Sequence, residues 1–324
     1  MSEKKKVNPI KKFTESRIFN QILPILFLVV LCLVFGSLTG GRFTTGTSLK
    51  IIFDQALIVG TVAIGGSFIF ATGNTSLSMG ATTVLTATIS CFIYNATESI
   101  ALMIISAIVI ATLLMIFTAI LSTVLNVRIL YVTIVMMALF SAIQQSLVGG
   151  GTVAIPFEVV NTLTNNYFSY IAFAVYFVLA IVLFNFTEIG RSLKMMGTNK
   201  ICAEQTGISN AKYLLIAHII AGIGCGVGAI IAIIRAGSIS TQSLMSLNMD
   251  VMLALVLGGM SIFGGSKSFV YAGIVGAITV VALNQGLLMI GVDATIIQAV
   301  RGVIFLILVV VSQVRPQGLP APEG

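Results

Sequence analysis

The sequence predicts an all-α integral membrane protein of about ten transmembrane helices, with glycine-rich interrupted segments and both ends of the chain cytoplasmic. Three observations carry that prediction: a deficit of charge, a succession of long apolar runs, and a lopsided distribution of lysine and arginine.

Of the 324 residues, 57% are apolar and only 8% are charged, and the mean hydropathy is +1.10. A soluble domain carries about 25% charged residues, because its surface must face water. The surface of this chain must therefore face lipid. In lipid every backbone polar group has to be bonded internally, which leaves helices or a closed barrel. Barrel strands alternate over about ten residues, whereas this chain has uninterrupted apolar runs such as 101–121 and 172–184. Helices are expected.

A bilayer core of about 30 Å needs roughly 20 apolar residues per helix. On that rule the spans fall at 18–38, 50–71, 77–94, 100–125, 129–148, 166–185, 212–234, 249–263, 269–290 and 294–313. The domain organisation is a basic tail (1–17), one transmembrane domain (18–313) and a short second tail (314–324). With both tails inside, 13 of the 17 basic residues lie on the inner side. Lys4, Lys5, Lys6, Lys11, Lys12 and Arg17 lie in the first tail. Arg128, Arg191, Lys194, Lys200, Lys212 and Lys267 lie in inner loops, and Arg315 in the second tail. The outer side receives Arg42, Lys50, Arg235 and Arg301. Positive charge marks the cytoplasmic loops. The net charge of +7 therefore reports orientation, and no nucleic-acid partner is expected. The run 18–38 is too long for a cleaved signal core and reads as a retained span. The longest outer loop, 149–165, holds Gly149, Gly150, Gly151 and Pro156, as a solvated connection should.

Little in the sequence points to chemistry. Cys32, Cys91, Cys202 and Cys225 have neither CxxC nor metal-site spacing, and no metal or cofactor is expected. His218, the only histidine, lies in the run 213–234 and reads as a neutral, hydrogen-bonded side chain. No Gly-x-x-x-x-Gly-Lys-[Ser/Thr] loop is present: the segment 259–268 mimics one, but its lysine comes two residues late. Asp54, Glu98, Glu188, Asp250 and Asp293 all fall near span ends. That pattern argues against a proton-coupled carrier, which places acids inside its spans. Sodium coupling, and hence a secondary transporter, stays open.

Two glycine-rich stretches resemble each other. Residues 65–80 read GGSFIFATGNTSLSMG and residues 258–273 read GGMSIFGGSKSFVYAG, sharing Gly-Gly, Ile-Phe and a final Gly. Interrupted helices in matching positions of two halves point to a solute path; tight helix packing is the competing explanation for the glycines. Asn74, Ser76, Ser78, Asn248, Asn284 and Gln285 lie near these breaks and are candidates for the path, since neutral hydrogen-bonding groups suit a sugar or nucleoside. The largest inner loop, about 190–212, carries four basic residues. Within it Asn199 or Thr198 can cap a helix of about two turns, and Gly207 can end it.

The segments GTNKICAEQTGISNAK, VMLALVLGGMSIFGGSKS, ALNQGLLMIGV and IIQAVRGVIFLILVV resemble the permease subunits of bacterial ribose-type ABC importers, a group that includes branched-chain amino-acid importers. The resemblance spans 50–313 and is strongest over 190–313. Gly197, Asn199, Ala203, Gly207 and Ile208 match the family's coupling segment, with Cys202 and Thr206 as departures. Gly258, Gly259, Ser261, Gly264 and Gly265 match its Gly-Gly loop, and Asn284, Gly286, Gln298 and Gly302 match later positions. One departure is marked: the family's Gly-Gly-Ile-Asp-Leu-Ser-x-Gly is here Gly73-Asn74-Thr75-Ser76-Leu77-Ser78-Met79-Gly80, so Ser76 replaces an acid.

The resemblance implies a transport subunit of the bacterial inner membrane and not an enzyme. ATP hydrolysis would be done by a cytoplasmic ATP-binding subunit, and an extracytoplasmic solute-binding protein would deliver a sugar or other small neutral solute. A second permease copy or a related permease would complete the path, and lipid would surround it. Gly197, Asn199, Ala203, Glu204 and Gly207 would form the ATPase-coupling element, with Ala203 facing the partner's groove and Glu204 at its rim. Nucleosides and branched-chain amino acids remain alternative solutes.

Overall fold

The computed structural model describes residues 17–240, 246–261, 264–265 and 268–313; the basic first tail, Lys267 and Arg315 lie outside them. The described chain is nearly all helix. In order the helices are α1 (Arg17–Leu38), α2 (Gly46–Ala71), α3 (Met79–Thr97), α4 (Ile100–Val124), α5 (Ile129–Val148), α6 (Phe157–Asn165) and α7 (Phe168–Phe186). They continue with α8 (Glu188–Thr198), α9 (Lys200–Gln205), α10 (Asn210–Ala236), α11 (Leu247–Leu257), α12 (Tyr271–Met289) and α13 (Ala294–Gln313). Two short strands, β1 (Thr152–Ala154) and β2 (Ser238–Ser240), pair antiparallel with Val153 opposite Ile239.

Each of the ten predicted runs holds a helix, and among the described residues six helices (α2, α4, α5, α7, α10 and α12) are long and apolar enough to cross a membrane. The predicted span 249–263 is corrected: α11 ends at Leu257 after 11 residues, about 16 Å at 1.5 Å per residue, and cannot cross alone. It ends there because Gly258 is pressed against Ala272 of α12 and the chain turns at Gly259 with φ 90°. The first glycine stretch is corrected as well. Gly65 and Gly66 lie inside α2, and the interruption covers only 72–78. The outer connection contains α6, a helix the sequence reading leaves as loop; its Leu163 is buried while Phe157 is exposed.

The core forms around α10. Gly222 and Gly226 meet α4 at Thr112 and Ile108; Gly224 meets Thr61 of α2 and Tyr176 of α7, and Gly228 meets Val62 of α2. Four glycines at every second position thus make two stripes of i, i+4 spacing, one on each side of the helix, and each lets backbones approach closely. Tyr176 adds a hydrogen bond from its hydroxyl to the Ile220 carbonyl at 2.9 Å. In α3 the hydroxyls of Thr82, Thr83 and Thr88 donate to carbonyls one turn back, so the helix buries hydroxyls without a second helix to satisfy them.

A Cβ at Gly226 would stand 2.7 Å from Ile108 Cα and 2.8 Å from the Ala107 carbonyl oxygen, whereas one at Gly302 meets nothing within 4 Å. Gly226→Val should destabilise the fold by about 1–3 kcal/mol through overpacking and lower the thermal aggregation temperature in detergent. Gly302→Ala should leave that temperature unchanged.

Candidate functional site

The segment joining α7 to α10 folds into α8 and α9. Lys194 holds α8 to the end of α7: its ammonium donates to the Phe184 carbonyl at 3.3 Å and sits 4.2 Å over the Phe184 ring. A cation at a helix C-terminus is favourable, because the last carbonyls lack intrahelical donors. Asn199 separates the two helices with extended backbone, and its side chain accepts from the Cys202 N–H at 3.2 Å. Gly207, with φ 85°, closes α9, and the Ile208 N–H returns to the Ala203 carbonyl at 3.0 Å. This is the cap-and-stop geometry expected from the sequence.

The orientation of Ala203 differs from expectation. It is 1% exposed and forms the floor of a groove of about 240 Å³ shared with Lys194, Met195, Thr198, Asn199 and Cys202. The outward face of α9 instead carries Ile201, Cys202, Glu204 and Gln205, and Ile201 is 62% exposed. The reason is geometric: in so short a helix only one residue per turn can point back at α8, and the small one does. An exposed isoleucine two residues past a capping asparagine was a readable signal, but the sequence reading passed over it.

Of the polar residues proposed for the path, Asn74, Ser76, Ser78, Asn248 and Asn284 are each hydrogen-bonded within the protein. Asn74 donates to the Thr72 hydroxyl at 2.9 Å. Ser76 and Ser78 are buried and hydroxyl-bonded to each other at 3.3 Å. Asn248 accepts from the Ala81 N–H at 3.0 Å, capping the first turn of α3 from another helix. Gly80 is glycine because a Cβ there would lie 2.5 Å from Asn248. Asn284 lies on α12 beside the half-buried Gln285, and its amide oxygen accepts from Arg301 Nε at 2.6 Å.

Arg301 is the residue the sequence reading misplaced. It lies within α13, not at an outer loop, and its guanidinium pairs with Asp250 at 3.1 Å. Asp250 also accepts from the Ser246 hydroxyl at 3.0 Å. Asp250 lies in the first turn of α11 and Asp54 in the first half of α2, so neither is at mid-helix, yet both are buried. Asp54 pairs with Arg235 at 2.9 Å and accepts from the Tyr170 hydroxyl. Each acid is neutralised by an arginine from another helix, as burial of a charge requires. A lone Arg in the run IIQAVRGVIFLILVV was the available clue. His218 is fully buried, with Nδ1 2.9 Å from the Leu214 carbonyl oxygen.

An interrupted α2–α3 pair, a short α11 ending in a second interruption, and the α8–α9 element beside them define a membrane transport subunit. The chain belongs to the family described as the permease component of branched-chain amino acid transport systems, whose pattern matches residues 48–311. It is similar to the ribose import permease protein RbsC of Escherichia coli, with 24% identity over 313 residues, covering 93% of this chain and 95% of that one. It is also similar to the galactofuranose transporter permease YtfT of Escherichia coli, 24% identical over 82% of this chain and 79% of the relative. The fructose import permease FrcC of Rhizobium meliloti is 25% identical over 90% and 84%. No solved structure matches the chain.

Removing one partner of a buried ion pair strands the other, at about 3–5 kcal/mol. Arg301→Leu should therefore reduce both membrane abundance and thermal stability in detergent. Asp250→Asn combined with Arg301→Gln should recover most of the abundance, because neither side chain then carries an unpaired charge. Equal abundance for Arg301→Leu and the unaltered chain would show the pair to be dispensable.

Proposed function

We propose that the chain is the membrane-spanning permease subunit of an ATP-driven importer for a sugar or a sugar-sized neutral polar solute. The observation that carries this reading is the coverage of relatives: permeases for ribose, galactofuranose and fructose align over most of the chain. The neutral amides and hydroxyls of Asn74, Ser76, Ser78, Asn248 and Asn284 suit a solute rich in hydroxyl groups. In this reading α8 and α9 face the cytoplasm and receive a partner ATPase, with the exposed Ile201 as the apolar anchor and Glu204 at the rim. An extracytoplasmic binding protein delivers the solute at the opposite end, where α6 and the β1–β2 pair lie, and a second permease completes the path. An ion-coupled carrier is disfavoured because Asp54 and Asp250 each already hold an arginine.

Uptake in cells should collapse when ATP is depleted and survive an ionophore that dissipates ion gradients; the reverse dependence would replace this reading with ion coupling. Ile201→Asp should strip the ATPase from the purified complex at unchanged membrane abundance. Glu204→Gln should weaken it less than about five-fold, since an exposed ion pair contributes roughly 0–1 kcal/mol. For orientation, Asn161→Cys should react with an impermeant maleimide in intact cells, and Lys200→Cys only after permeabilisation. The opposite labelling pattern would invert the assignment.

A further inference from the structure

The two interrupted segments and the α8–α9 element meet at one point, and they meet through backbone. The Gly265 N–H donates to the Ala71 carbonyl at 3.2 Å, which joins the second interruption to the end of α2. Gly264 lies against the next residues, where a Cβ would collide with Gly73 N and stand 2.5 Å from the Phe70 carbonyl oxygen. Gly197, one residue from the end of α8, is wedged into the same contact. A Cβ on it would collide with the Ala71 carbonyl oxygen and lie 2.5 Å from Gly265 N. Thr198 adds its hydroxyl, 3.2 Å from where a Cβ of Gly265 would stand.

From this geometry we infer that Gly197 is a positioning residue: it passes the displacement of α8 and α9 directly to both interrupted segments. The inference rests on the ATP-driven reading above and assigns Gly197 a part distinct from docking. The physical reason is stiffness. Side chains absorb small displacements by changing rotamer, whereas three backbones in van der Waals contact have no rotamer to change. A shift of α8 must then be taken up by Ala71, the last residue of α2 before the first break, and by Gly265, which lies inside the break between α11 and α12. Both neighbouring glycines of the second segment lie at positive φ (69° and 98°), a conformation glycine can leave at little cost. The compliant points thus lie just beyond the stiff contact, which is where a transmitted displacement has to become a change of path.

The test uses the complex purified with its ATPase, in a Cys202→Ser background that removes the exposed native thiol. Thr75→Cys, half-buried in the first interruption, reports the state of the path through its rate of reaction with a hydrophilic maleimide. The expected result is a several-fold change in that rate on adding a non-hydrolysable ATP analogue. Adding Gly197→Ala should keep the ATPase bound and hydrolysing, abolish the change in labelling, and reduce uptake at least ten-fold. No nucleotide-dependent change at Thr75→Cys in the chain with native Gly197 overturns the inference, and that measurement decides alone if Gly197→Ala does not reach the membrane. Uptake by Gly197→Ala within two-fold of normal also overturns it. Loss of the ATPase from Gly197→Ala at matched abundance overturns it too, by returning Gly197 to the docking surface. The docking reading itself fails separately, if Ile201→Asp retains the ATPase.

Discussion

The structure depends on how closely helix backbones can approach around α10. Lipid gives no hydrophobic incentive for two apolar helices to associate, so association rests on van der Waals packing and hydrogen bonds between them. The glycines at 222, 224, 226 and 228 remove side chains from both flanks of α10 at once. With α2 on one side and α4 on the other, this helix fixes the spacing of the central layer. The remaining helices build outwards from it: α12 seats Gly273 and Gly276 against α2 and α11, and α7 closes the flank with Tyr176. Outer helices such as α4 and α5 then need only one packed face and expose their other side chains, including Val109, Leu113 and Val135, to lipid.

Polar chemistry inside this packing is almost all paired. Thr82, Thr83 and Thr88 in α3 satisfy themselves against their own helix, and Asn248 caps a neighbour. The two buried carboxylates are each matched by an arginine contributed from a different segment. These pairs tie helices that share few other constraints. Asp250 and Arg301 join α11 to α13, while Asn284 draws α12 into the same cluster. Buried ion pairs are weak contributors to net stability, because desolvation offsets the attraction. Their structural value here is positional, in fixing which helix lies beside which.

The helices were legible because apolar length is a strong signal, and the capped, glycine-ended α9 was legible because Asn199 and Gly207 sit at the required spacing. What the sequence hid has a common physical origin. The end of α11 at Leu257, the placement of Arg301 and the inward turn of Ala203 are all decided by which surface a segment meets, and a one-dimensional pattern does not carry that. Gly65 and Gly66 looked like part of a break because glycine serves equally for unwinding and for packing; only the neighbours, Ala221 and Met79, settle it as packing. Likewise the resemblance between the two glycine-rich stretches was visible, but not that they touch one another at Gly265 and Ala71.

The length of α11 bears on how the protein is made. An apolar helix of 11 residues gains too little from partitioning to enter the bilayer by itself, and α13 carries an arginine that alone is worth about 2.5–3.5 kcal/mol against insertion. Neither segment is therefore an independent client of the insertion machinery. The acid is synthesised 51 residues ahead of the base it neutralises, so Asp250 must be held until α13 emerges. The final quarter of the chain then integrates as one unit, after α2, α4 and α10 have built the wall on which it rests.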